Sequence, residues 1–176
     1  MSFRAVILVG FIFAVASGQE LREEAAPLTT GAGLEVETVK PANDFVLRPK
    51  PWWLRISTKK WQWVTINPKI YYPPERDPLK YTAIIEHEKV HLSQQRKTGK
   101  YKWLFKYIAS KKFRFEQEME PIVVELLNTP PEFRKQLAVK YANNLSGAPY
   151  SRAAKSFDVA LDGILSKAEE MGVKVY

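Results

Sequence analysis

Residues 77–99 read DPLKYTAIIEHEKVHLSQQRKTG, and the rest of the chain is parsed outward from this stretch. Asp77-Pro78 is a helix start: an acid at the N-cap, then a proline whose missing N–H would have no helical partner anyway. Ile84, Ile85, Val90 and Leu92 give the helix an apolar side, and Gly99 is suited to end it. The spacing predicts one helix from Asp77-Pro78 to about Thr98. Inside it lies His87-Glu88-Lys89-Val90-His91. Positions i and i+4 share a helix face, so the two imidazoles can reach one cation. Glu88 is placed to contact a water on that cation without ligating it.

The chain has only two histidines, and both are in this pattern. Two randomly placed histidines fall four apart roughly once in ninety times, and glutamate follows the first about one time in twelve. The arrangement therefore arises by chance roughly once in a thousand. A catalytic zinc site takes three protein ligands and keeps one position open. With no further histidine and no cysteine, an acidic side chain has to complete the set. Downstream acids cluster at Glu116, Glu118 and Glu120, with Glu125 further along. Glu118 falls on the stripe Phe115, Glu118, Ile122, Glu125, beside the residues expected to face the core, which favours it slightly over Glu116, Glu120 and Glu125.

Upstream of residue 77, Phe45–Leu54 holds two prolines and two tryptophans and reads as extended chain. Trp61–Ile66 alternates bulky and polar side chains as a strand, Asn67-Pro68 as a turn, and Lys69–Tyr72 as a second strand. Downstream, helices are expected at about 101–110 and 113–127. Thr129-Pro-Pro-Glu132 has the pattern of a capping box opening a helix that ends near Gly147, and a last helix is expected over 151–172. The class is α+β, mostly helical, with no internal repeat.

Met1–Glu20 has the layout of a secretory signal peptide: Arg4, an apolar run Ala5–Val15, then Ala16-Ser17-Gly18. Cleavage is expected after Ala16 or Gly18, and the apolar run is too short for a comfortable bilayer span. The parse is therefore 1–18 signal peptide, 19–44 flexible lead-in, 45–176 domain, with export of the mature protein. An uncleaved arm, anchored or virion-associated, is the alternative. The lack of cysteine excludes disulfides, zinc ribbons, iron–sulfur clusters and thiol nucleophiles. Five Trp, eight Tyr and nine Phe can compensate for the small size of the core. A net charge of +8 suits an anionic partner such as a cell-envelope polymer, a lipid surface or an acidic protein. No nucleic-acid-binding motif interleaves with the lysines, so nucleic acid is not expected.

Residues Ile85–Pro121 resemble the small HExxH metallopeptidases of the gluzincin type found in bacteria and phages. The matching elements are His87-Glu88-Lys89-Val90-His91, then Gln94 or Gln95, Gly99, Trp103-Leu104-Phe105-Lys106-Tyr107, and Glu118-Met119-Glu120-Pro121. Pro121 stands where that pattern usually has alanine. The resemblance covers roughly residues 60–127. It implies a zincin-like domain with a two- or three-stranded sheet ahead of the active-site helix. It also implies Zn2+ held by His87, His91 and Glu118, with Glu88 as general base and a peptide or protein as substrate. Lys69–Tyr72 would be the edge strand that pairs with it. Arg114, Tyr101, Tyr107 and Tyr141 are the candidates for stabilising an oxyanion. The competing expectation is a structural, virion or secreted interaction protein with a non-catalytic zinc site.

Overall fold

The computed structural model describes residues 45–58 and 62–175; the signal-peptide and lead-in readings, and Trp61, lie outside them. Three short strands lie in the N-terminal part of the described chain: β1 (Val46–Pro49), β2 (Val64–Ile66) and β3 (Lys69–Tyr72). The sheet order is β1-β3-β2, with β1 parallel and β2 antiparallel to β3. Ile66 pairs with Lys69 across a turn whose Asn67-Pro68 peptide is cis. Lys69–Tyr72 is thus the central strand and not the edge strand. The Pro-rich block expected to be merely extended supplies the missing neighbour. Its register is fixed by Leu47 opposite Ile70 and by Lys50 N donating to Tyr72 O at 2.9 Å. That block is only partly extended: Trp52–Ser57 turns into a short helix, α1, with Leu54 buried beneath it. β2 is shorter than the alternation suggests, because Trp63 is wholly buried and packs inward with Ile70, Ile84, Ile85 and Leu92.

Five further helices follow: α2 (Thr82–Thr98), α3 (Lys100–Ala109), α4 (Lys111–Leu127), α5 (Pro131–Ser146) and α6 (Phe157–Glu170). Asp77 does act as a cap, accepting from Leu79 N at 3.0 Å, but it caps a single 3₁₀ turn, Pro78–Lys80. Tyr81 then leaves helical geometry, with its ring 6.1 Å from that of Trp63, and α2 starts one residue later. Gly99 ends α2 at φ 85°, a value that favours glycine, and α3 departs from it directly. The Thr129 capping box does not form. Thr129 donates its hydroxyl back to Glu125 O at 2.8 Å, closing α4, while Pro131 occupies the first turn of α5. The last helix begins at 157 and not 151, because Ser151 and Arg152 take φ of 53° and Ser156 is the residue that caps it.

The result is an α+β, mostly helical domain with a small three-stranded sheet ahead of α2. α4, α5 and α6 enclose the larger core around Ile122, Val123, Leu126, Tyr141, Leu145 and Ile164. Burying each such Leu- or Ile-sized side chain contributes about 1.5–3 kcal/mol. A second core lies between the sheet and α2. Between the two cores α2 packs along α4, and their facing sides carry polar residues where apolar ones would be expected. No helix among the described residues is long and apolar enough to cross a membrane.

Candidate metal centre

His87, Glu88 and His91 on α2 and Glu118 on α4 are all fully buried, at 0% exposure. Four ionisable side chains are rarely taken out of water together without a compensating charge. His87 Nε2 lies 3.7 Å from Glu118 Oε2, and His91 Nε2 lies 3.5 Å from Glu118 Oε1. The three residues offer ligand atoms that all fall within 4.8 Å of one another. Donors about 2.1 Å from a tetrahedrally bound zinc would be about 3.4 Å apart, close to the observed spacing.

The hydrogen bonding has the same focus. Each imidazole has Nδ1 beside an outer neighbour, Gln94 or Glu125, and Nε2 beside Glu118. His91 Nδ1 meets Gln94 Oε1 at 2.9 Å; a carbonyl oxygen only accepts, so the proton sits on Nδ1 and Nε2 keeps its lone pair. His87 Nδ1 is 3.1 Å from Glu125 Oε2, close but not aligned as a linear hydrogen bond. His87 Nε2, His91 Nε2, Glu118 Oε2 and Glu88 Oε1 are buried atoms with no hydrogen-bond partner. Unpartnered buried polar atoms of this kind are rare in folded proteins. Two imidazole nitrogens and a carboxylate oxygen form a group that could hold a metal ion, and zinc is among the metals that accept this donor set.

A ring of neighbours holds this arrangement. The Tyr107 hydroxyl donates to Glu118 Oε1, and Tyr150 also bonds the Glu118 carboxylate. The Tyr141 hydroxyl donates to Glu125, and its ring stacks on His87 at 5.9 Å between centroids. The Thr65 hydroxyl donates to Glu88 Oε2. Gln95 clamps the hairpin to α2, donating to Thr65 O at 2.9 Å and accepting from Asn67 N at 2.9 Å, so β2 is placed to present Thr65. Gln94 donates at 3.0 Å to the Gln117 carbonyl on α4. That carbonyl would ordinarily accept from the N–H of residue 121, but residue 121 is proline and has none. Pro121, the departure from the alanine pattern, thus frees the acceptor that anchors Gln94, and Gln94 in turn orients His91. Trp103 Nε1 donates to Gln117 Oε1 at 2.8 Å, adding α3 to the same node.

The charges press on one another. Burial raises Glu88 to about 7, with His87 and Thr65 opposing, and burial likewise raises Glu118. Burial lowers His91 to about 3, helped by His87. Burial also works against a charged His87, yet Glu125, Glu118 and Glu88 outweigh it and bring His87 to about 9. Burial first, then neighbouring carboxylates, push Tyr107, Tyr141 and Tyr150 well above the usual phenol range, so all three stay neutral donors.

The structure therefore brings His87, Glu88, His91 and Glu118 together. It leaves Glu116 exposed and Glu120 half-buried outside the cluster, and sets Glu125 behind His87. Among the oxyanion candidates, Tyr101 is 79% exposed. Arg114 is occupied by three carbonyls, those of Tyr107, Tyr150 and Ile108. The Tyr107 and Tyr141 hydroxyls are held by carboxylates. Thr65, Gln117 and Tyr150 carry no motif of their own, whereas Gln94 and Pro121 fall in the segments that carry the resemblance. No protein-family model, curated protein or solved structure matches the chain.

Proposed function

We propose that this protein is a zinc-dependent peptidase of the HExxH type, acting on a peptide or protein after export. The observation that supports it best is the convergence of His87 Nε2, His91 Nε2 and Glu118 Oε2, unpartnered, beside Glu88 Oε1, also unpartnered. His87, His91 and Glu118 would hold the cation. When bound, zinc supplies Lewis acidity toward a water and toward the carbonyl oxygen of the scissile bond. Glu88 is not a ligand in this reading. Its Oε1 accepts the proton of the attacking water and passes it to the leaving amine, a role suited to a carboxyl that burial holds near 7. Thr65, donating to Oε2, fixes which Glu88 oxygen faces the reaction. Gln94 fixes the tautomer of His91, and the Glu125 carboxylate, 3.1 Å from His87 Nδ1, favours a proton on that nitrogen.

A second reading is favoured by one feature: all four residues are closed off from solvent. A metal held this way would serve stability alone, as in a structural or secreted interaction protein. One experiment separates the two. Glu88→Gln should keep the fold and one zinc per chain and lose roughly 10²–10⁴-fold in cleavage of a broad peptide library. Equal zinc-dependent cleavage by parent and variant refutes the role of Glu88. No cleavage by either, with a large fall in melting temperature on chelation, selects the structural reading.

A further inference from the structure

α3 has two faces of opposite character. Trp103, Leu104 and Tyr107 are buried against α2 and α4. On the other side Tyr101 and Phe105 stand one helical turn apart, 79% and 69% exposed, with the exposed lysines Lys102 and Lys106 next to them. From Gln94 to Arg114 the chain has eight Lys or Arg and no Asp or Glu, and every charged residue of α3 itself is a lysine. Glu116, beyond this stretch, reaches only Lys112, at 3.9 Å. Single exposed apolar residues are ordinary; two large rings in a row on a cationic strip are not.

We propose that the Tyr101–Phe105 face of α3 docks on an anionic lipid bilayer. The rings would enter the boundary between headgroups and acyl chains. Lys102 and Lys106 would extend along them with their ammonium groups among the lipid phosphates, a layout that flexible lysine stems permit. Charge complementarity selects an anionic surface over a neutral one. Single-stranded nucleic acid also binds aromatic and basic residues, but it does so along grooves that track its backbone. The two rings here stand one turn apart on the outward face of a ten-residue helix. Docked in this way, α3 would keep Trp103 and Tyr107, and with them the metal centre, on the side away from the lipid. The inference is independent of whether the centre turns over substrate.

The test is sedimentation of the full chain with phosphatidylcholine vesicles, with and without about one third phosphatidylglycerol, at about 0.1 M salt. Binding is expected to the anionic vesicles only, and to weaken as salt rises. The Tyr101→Ser/Phe105→Ser double variant should bind about tenfold less. Lys102→Gln and Lys106→Gln should each weaken binding roughly fivefold. All four positions are exposed, so circular dichroism and zinc content should match the parent. The proposal is overturned if the double variant sediments like the parent, which would assign binding to another segment such as the apolar run at residues 5–15. It is also overturned if neutral vesicles bind equally well, or if neither vesicle binds while a DNA oligonucleotide does.

Discussion

Replacing Pro121 by alanine should make the protein more stable and its zinc weaker. A proline inside a helix costs about 3 kcal/mol relative to alanine. Here the Gln117 carbonyl regains a partner in Gln94 at 3.0 Å, which recovers about 0.5–1.5 kcal/mol of that cost. Pro121→Ala should therefore gain about 2 kcal/mol, roughly 4–8 °C in melting temperature. The restored N–H of residue 121 competes for the Gln117 carbonyl, so Gln94 loses its anchor and His91 its fixed tautomer. Losing one neutral hydrogen bond, about 0.5–1.5 kcal/mol, corresponds to about a two- to tenfold fall in zinc affinity. Gln94→Ala removes the contact to His91 altogether and should cost about 10–100-fold. In the Gln94→Ala background, Pro121→Ala should have no further effect on affinity, because the path it acts through is gone. Competition against a chromophoric chelator gives the affinities, and thermal melts of the metal-free proteins give the stabilities. If Pro121→Ala leaves affinity unchanged within twofold while stability rises, the proline has no part in positioning His91.

Glu125→Leu should weaken zinc by about 10–100-fold by releasing His87 Nδ1, with a smaller loss for Tyr141→Phe; chelator competition on folded variants checks both. Zinc at about a thousand times its dissociation constant should stabilise the protein by about 4 kcal/mol, on the order of 10 °C in a calorimetric melt; Glu118→Gln should abolish most of that rise. Gly99→Ala meets no atom within 4 Å, so its cost should be the conformational one alone, about 1–3 kcal/mol by denaturant unfolding, because φ is 85° there.

The helices were readable because each has its own apolar period and a recognisable stop. α2 ends at Gly99 and α4 at 127, as the sequence pattern indicates. The helix starts were less legible. Asp77 and Thr129 are good capping residues that the fold uses elsewhere, one on a 3₁₀ turn and one at the end of the preceding helix. The place of Lys69–Tyr72 in the sheet depended on β1, a strand containing Arg48-Pro49 that local alternation does not reveal. His87, Glu88 and His91 needed only helical geometry to be found together. Choosing Glu118 over its neighbours required knowing which side of α4 meets α2, and the surrounding tyrosines and Thr65 come from segments that sequence spacing cannot bring into register.

The closed position of His87, His91 and Glu118 has a kinetic meaning. A cation reaches such a place only while α2 and α4 are apart, either before they first meet or during a later opening. If the site holds a cation, loading would be an event in the maturation of the chain, and the supply of metal where the chain folds would decide how much of the protein carries it. Loss of such an ion would run on the clock of the helices and not of the ligand bonds. Raising the concentration of a chelator should speed removal only until the opening itself limits the rate, and that plateau would measure how often the protein breathes.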